Sequence, residues 1–303
     1  MTRFNIAGLQ LSLTVGDNMA EITKQLTVMK ARFPWVDMAV LSELAPQGPL
    51  ATNAEPMPGP TENKFCELAE RLGIWLVTGS IYEKAGDKIF NTASVIDPSG
   101  DVIGRYRKMY PFLPYEKDIA AGDDYLVWDV PGVGRFGLSI CYDMWFPETT
   151  RNLAWMGAEV IIHPTLTNTI DRELELTLAR ANAISNQCYF FDINAGGDLA
   201  YGQSIIVGPE GDILHQAGRG TELMPVPVDF DRIRHTRRNG IKNFGQPLKS
   251  FRDGPASFPA YAEGPASSLA LRGLGKLEIP GSSTSGLTNT TDAADDDAAG
   301  GDA

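Results

Sequence analysis

The chain is 303 residues long, 43% hydrophobic and 21% charged. That composition suits a soluble globular protein with a full core, folded as one large domain or two fused halves. Its formal charge of -12 argues against nucleic acid and anionic membranes, which are bound through surplus Lys and Arg, and points to a small, neutral or cationic ligand.

In chain order, short apolar strands alternate with helical patterns. A strand over 6–11 follows Met1-Thr2-Arg3 so closely that no signal peptide fits, and no run of about 18 apolar residues occurs, so a cytoplasmic location is expected. Three cysteines, an odd number without CxxC spacing, fit a reducing compartment and argue against a disulfide framework or a zinc site. The spacing predicts a helix over 19–29, a strand over 38–41 and a helix over 61–72, where Phe65, Leu68, Ala69 and Leu72 form one core-facing stripe. Strands follow over 74–79, 90–97 and 102–106, an alternation that indicates an α/β fold with a layered sheet.

A weak internal repeat extends this reading. VIDPSGDVI (95–103) and IVGPEGDIL (206–214) each read as a β-hairpin around a Pro-x-Gly-Asp turn. VDMAVLSE, ending at Glu43, and AEVIIHPT, ending at Thr165, each read as a buried strand that follows a helix and stops at polar residues. Two similar α/β halves packed sheet to sheet would give a four-layer αββα sandwich. From Asn239 the pattern breaks into Gly, Pro and aromatic residues, including Phe244, Phe251, Phe258 and Tyr261. Residues 239–280 are therefore expected to form a C-terminal arm at a subunit interface. Residues 281–303 turn to Ser, Thr, Gly, Ala and Asp and are expected to be a disordered acidic tail. Five aspartates between Asp292 and Asp302 belong to it, leaving -7 for the body.

Chemistry centres on Cys141, where an apolar strand stops and a helix begins near Pro147. A cysteine at such a turn meets a pocket and nearby backbone N–H groups, which suits a nucleophile; a small buried hydrophobe is the other reading of the same segment. The usual base would be His, but only three occur. His215 follows a hairpin, His235 lies on a basic helix, and His163, before Pro164, reads as a pocket-wall or structural residue. Glu43, closing the apolar strand, could instead accept the thiol proton if desolvation raises its pKa; a solvated strand-end Glu is the alternative. Lys108 closes another strand and is read either as a surface charge or as an oxyanion stabiliser. Cys66 and Cys188 sit in apolar patterns and read as structural, and Glu148 as serving a helix N-terminus.

Glu43, Lys108 and Cys141, each at a strand end and in that order, with Glu116 eight residues after the Lys, resemble the nitrilase superfamily of carbon–nitrogen hydrolases. YRKMYPFLPYE (106–116) is similar to the segment of aliphatic amidases and formamidases that carries their catalytic Lys and second Glu, and CYDMWFPE (141–148) to the family's nucleophile turn. ARANAISNQCYFFDIN (179–194) and GQSIIVGPEGDIL (202–214) extend the resemblance over roughly residues 4–230. It implies a carbon–nitrogen hydrolase domain over 1–238 and a subunit that pairs into a homodimer or higher homo-oligomer. It also implies Glu43 as general base, Cys141 as the nucleophile that forms a thioester, Lys108 with the Tyr142 N–H as oxyanion holders, and Glu116 as the group that orients Lys108 or the substrate nitrogen. No metal or organic cofactor is implied.

Tyr142-Asp143 stands where nitrile-cleaving relatives usually carry Trp-Glu, which favours an amide. Trp145 stands where many relatives carry Arg, which argues for an uncharged acyl group lined by Phe112, Tyr115, Tyr142 and Trp145, with His163 nearby. Packing beneath the turn is the other reading of Trp145. Ser42 departs from the Pro frequent in relatives. WFPE and the YEK of 115–117 also resemble N-carbamoylputrescine hydrolases, so an N-carbamoyl amine is the alternative substrate. An acyl transferase or a non-catalytic binding protein on the same fold are further alternatives.

Overall fold

β1 (Arg3–Gln10) turns Phe4 and Ile6 to one side and Ala7 and Leu9 to the other, and all four are buried. A strand with two apolar faces needs a layer against each. The computed structural model, which describes residues 3–262, 264, 268–272, 274 and 277–279, supplies both layers. The tail expected over 281–303 lies outside the described residues.

The elements that follow are α1 (Met19–Arg32), β2 (Met38–Val40), α2 (Pro60–Leu72), β3 (Trp75–Val77), β4 (Ile81–Ala85), β5 (Lys88–Ile96), β6 (Val102–Arg107) and a one-turn helix α3 (Leu113–Glu116). The second half contains β7 (Leu126–Val130), β8 (Gly134–Leu138), α4 (Pro147–Trp155), β9 (Val160–Thr165), α5 (Arg172–Asn186), β10 (Tyr189–Asn194), β11 (Ile205–Val207), β12 (Ile213–Gln216), β13 (Glu222–Asp229) and α6 (Phe230–Asn239). α7 (Pro247–Asp253), α8 (Pro259–Ala262) and α9 (Leu269–Arg272) close the described chain. Two compact units are distinguished: residues 3–111 with 118–256, and residues 112–117 with those described from 257 onward.

In the first unit a seven-stranded sheet runs β13-β1-β2-β3-β5-β4, with β6 also paired to β5, and a six-stranded sheet runs β12-β11-β10-β9-β8-β7. Their inner faces share one core, where Ile6, Met38, Val40 and Val95 of one sheet meet Phe136, Leu138, Ile162 and Phe191 of the other. The outer face of the first sheet is covered by α1 and α2 through Ile22, Leu26, Phe65 and Leu68. The outer face of the second is covered by Leu153 of α4 and by Ala179 and Ala183 of α5. This is the expected αββα sandwich. Both repeat hairpins form, as antiparallel β5–β6 and β11–β12.

Two differences have local causes. Residues 247–253 form α7, although no periodicity marks them; at two turns, with Pro247 in the first, the helix is too short to display a stripe. His215 lies inside β12 rather than after the hairpin. In the second unit, α3, α8 and α9 are single turns, and the rings of Phe258 and Tyr261 pack at 5.4 Å.

Candidate active site

β2 and β9 are parallel strands at matching places in the two sheets, and beyond their C-terminal ends the sandwich is joined by the Glu43 N–H donating to the Thr165 carbonyl at 3.2 Å. The two strand ends that look alike in sequence therefore meet. The turn carrying Glu43 depends on Gly79, whose φ of +76° suits glycine and whose Cβ, if present, would lie 1.9 Å from the Ser42 carbonyl. Gly79→Ala is expected to cost at least about 2 kcal/mol in chemical denaturation, from left-handed strain and displacement of that carbonyl.

The residue that follows β6 supplies the cation. Arg105 and Arg107 pair on one face with Glu62 and Glu83, at 2.8 and 2.6 Å, so the alternate residues Tyr106 and Lys108 turn inward. Lys108 Nζ lies 2.8 Å from Glu43 Oε1, and both residues are almost wholly buried, at 1% and 3% exposure. The neighbouring strand adds Asn91, whose Nδ2 donates to the same carboxylate oxygen at 2.8 Å. The backbone holds the pair in register through Lys108 N–H donating to the Asn91 carbonyl at 2.8 Å.

Cys141 opens a short 3-10 helix, Cys141–Trp145, with a φ of +47° that a side chain adopts only under strain. Asp143 anchors this turn. Its carboxylate accepts from the Ile140 N–H at 2.9 Å, the Tyr106 hydroxyl at 2.7 Å and the Tyr110 N–H at 2.9 Å. Burial pushes this carboxyl up to about 6, against the pull of those donors. Asp143→Ala would strand three donors and is expected to lower stability by roughly 3–5 kcal/mol in urea unfolding.

The Cys141 thiol is held well above its usual pKa, first by burial and then by the negative charge of Glu43; Lys108 works in the opposite sense. Its sulfur lies 4.0 Å from Thr167 Oγ1. His163 is tied to the backbone of the same turn: Nε2 lies 3.1 Å from the Cys141 carbonyl and must donate, so Nδ1, at 2.7 Å from Ser139 Oγ, accepts. Burial and the Arg172 charge push the imidazole down to about 3, so it is neutral at pH 7.

Tyr142 and Trp145 share an aromatic group with Phe146 and Tyr110. Tyr110 stacks on Phe146 at 3.5 Å, and Tyr142 lies 5.4 Å from Phe146 and 6.0 Å from Trp145. Trp145 is half-buried and also packs toward the core beneath α4 and α5. Phe112, Tyr115 and Glu116 belong to the second unit. There the Phe112 N–H donates to Glu116 Oε2 at 2.8 Å, Phe112 packs on Tyr115 at 5.7 Å, and Tyr115 is 67% exposed.

The structure thus brings Glu43, Lys108, Cys141, His163, Tyr142 and Trp145 together. It adds Asn91, Thr167, Arg172, Glu175 and Asp192, which sequence reasoning did not single out, and it makes Asp143, read from the sequence only as a departure from the nitrile-cleaving pattern, the anchor of the Cys141 turn. Asn91 and Asp143 carried a signal, as polar residues inside an apolar strand and one step past Tyr142; Thr167 and Glu175 carried none. Among the described residues no group of three or more His, Cys, Asp or Glu gathers as a metal site, and no helix is long and apolar enough to cross a membrane.

The four layers recur in solved structures. That of Nit3 from Saccharomyces cerevisiae, described as a member of branch 10 of the nitrilase superfamily, is similar with a TM-score of 0.72 at 30% identity, covering 78% of this chain and 94% of that one. In sequence, the omega-amidase NIT2 of Homo sapiens is 31% identical over 201 residues, covering 61% of this chain and 72% of its own length. The formamidase of Bacillus cereus (strain B4264) is 31% identical over 267 residues, 80% of each chain. The carbon-nitrogen hydrolase family model matches residues 9–238. The chain belongs to the carbon–nitrogen hydrolase family, within the nitrilase superfamily.

Proposed function

We propose that the protein hydrolyses a small, uncharged carboxamide to the carboxylic acid and ammonia through a thioester on Cys141. The observation that carries this reading is the buried Glu43–Lys108 pair at 2.8 Å, both of whose charges act on the Cys141 sulfur. A thiol held protonated by burial needs a base, and Glu43 is the carboxylate that acts most strongly on it. Relatives named omega-amidase and formamidase support amides as the substrate class.

In this mechanism Glu43 takes the thiol proton as sulfur attacks the carbonyl carbon. The oxyanion is held by the Lys108 ammonium and the Tyr142 N–H, in the first turn of the short helix. Collapse breaks the C–N bond, and the leaving nitrogen takes the proton from Glu43 and departs as ammonia. Water then gives a proton to Glu43 and attacks the thioester, the second tetrahedral species expels sulfur, and the proton returns to Cys141 with release of the acid. The family resemblance gives Glu116 a supporting role, to be tested by the kcat of Glu116→Gln.

The aromatic group of Tyr110, Tyr142, Trp145 and Phe146 supports an uncharged acyl moiety. Ammonia release from short aliphatic, aromatic, carboxylated and carbamoyl amides tests this. Neutral amides are expected to lead, and release from carbamoyl amines alone would overturn the assignment. Trp145→Arg is expected to shift kcat/KM toward carboxylated amides by about tenfold, the worth of one exposed charge pair with partial desolvation; a drop in stability without that shift would make Trp145 a packing residue. A homo-oligomer is part of the same proposal, supported by exposed Trp155, Leu174 and Ile184 on α4 and α5. Light scattering on a sizing column would overturn it by finding a monomer.

A further inference from the structure

Cys141 has a second set of charged neighbours that the proposed hydrolysis does not use. Thr167 Oγ1 stands 4.0 Å from the Cys141 sulfur and 3.0 Å from Glu175 Oε1. Glu175 Oε2 lies 3.1 Å from Arg172 Nη1, which is 2.8 Å from Asp192 Oδ2, while Arg172 Nη2 donates to the Gln203 carbonyl at 2.9 Å. Arg172, Glu175 and Asp192 are each at most 3% exposed. Thr167 is fixed by Asn194, whose Oδ1 accepts its N–H at 2.9 Å and whose Nδ2 donates to its carbonyl at 3.1 Å. Only the rotation of the Thr167 hydroxyl remains to be set.

We propose that Thr167 and Glu175 form a positioning relay for the Cys141 sulfur, in which the protonation of Glu175 sets the direction in which the Thr167 hydroxyl donates. The relay rests on the reading of Cys141 as nucleophile. With Glu175 ionised, Thr167 donates to the carboxylate and turns a lone pair to the sulfur, which favours the thiol. With Glu175 protonated, the carboxyl O–H donates to Thr167, whose own hydrogen turns to the sulfur and favours the thiolate.

Charge balance supports a titrating Glu175. One guanidinium faces two buried carboxyls, and a single proton removes the excess negative charge. The groups facing Glu175 are Arg172 on its own helix, Asp192 on β10, Thr167 after β9, and Cys141 with Lys108 and Glu43 beyond it; the neighbouring His163 is neutral. Burial raises Glu175 to about 7, with Arg172 opposing and Asp192 adding to the rise. Asp192 is raised by burial and held back by Arg172.

The test is the pH dependence of Cys141 alkylation by iodoacetamide, in which the S–C bond forms and iodide leaves. It is read as mass gain on the peptide containing Cys141, because Cys66 and Cys188 are also free thiols. In wild type the rate is expected to climb with pH, flatten just above pH 7 as Glu175 ionises, and climb again. Glu175→Gln should remove the flattening and react about tenfold faster than wild type on the alkaline side, the worth of one hydrogen bond. Thr167→Val should also remove the flattening and react about tenfold slower than wild type below pH 7, with Thr167→Ser restoring both features.

Flattening that persists in Thr167→Val would show that Glu175 acts on the sulfur only through space, and would overturn the relay. If Glu175→Gln fails to fold by thermal melting, the Val and Ser pair at position 167 decides alone. Identical profiles in every variant would sink the relay and leave the nucleophile reading standing. Amide hydrolysis that survives Cys141→Ala would sink the nucleophile reading itself.

Discussion

Cys141→Ala is expected to abolish amide hydrolysis, with kcat falling roughly 10⁴–10⁶-fold, as when a covalent nucleophile is removed from a site that otherwise keeps its charges. Glu43 and Lys108 would still hold each other at the strand ends, but no atom would remain to form the thioester. The fold should survive. Alanine meets the same positive φ at 141 as cysteine does, the loss of one buried sulfur leaves a small void, and the turn remains fixed by the three donors that converge on Asp143. Ammonia release, with urea unfolding as a control, measures both quantities. Undiminished turnover in a folded variant would remove Cys141 from the mechanism.

Lys108→Met is expected to cost about 3–4 kcal/mol of transition-state stabilisation, a loss of roughly 10²–10³ in kcat, by the measure of other lost oxyanion donors. It should also lower stability. Lys108 and Glu43 are buried together, and taking one charge from a buried pair costs about 3–5 kcal/mol because the other is left poorly compensated. The two losses are separable. The double variant Glu43→Gln/Lys108→Met removes both charges and is expected to recover most of the stability and none of the activity. A Lys108→Met enzyme in which KM rises and kcat holds would make Lys108 a binding residue.

The strained Cys141 turn shows how much of the molecule serves this site. Asp143 accepts from Ile140, Tyr106 and Tyr110 and so fixes the sulfur's backbone, while His163 ties the Cys141 carbonyl to Ser139. Tyr106 on β6 and Lys108 just past its end are two residues apart and face the same way, so this stretch grips both the turn beneath the sulfur and the carboxylate beside it. Register in β6 therefore sets the position of both groups.

The layers are legible in the chain's own pattern, whereas Glu43, Lys108 and Cys141 read as a trio through their resemblance to the nitrilase superfamily. Apolar residues alternating on both faces of β1 and β2 require cover on each side. Each of the three stands where an apolar strand ends, which alone leaves a solvated Glu43, a surface Lys108 and a buried apolar Cys141 open, and their joint order with Glu116 is what singles them out. Other elements were hidden by their own chemistry: β13 carries Pro225 and Pro227, which argue against a strand until it is seen to pair along one edge with β1. Tertiary structure alone decided the rest. That Thr165 receives the Glu43 N–H depends on the two sheets meeting face to face, that Asn91 shares an oxygen of Glu43 with Lys108 depends on the strand order within the first sheet, and that Thr167 stands between the sulfur and Glu175 depends on α5 packing against the second. Hydrogen bonds between residues tens of positions apart leave no periodic trace along the chain, because their geometry is set by sheet packing rather than by local spacing.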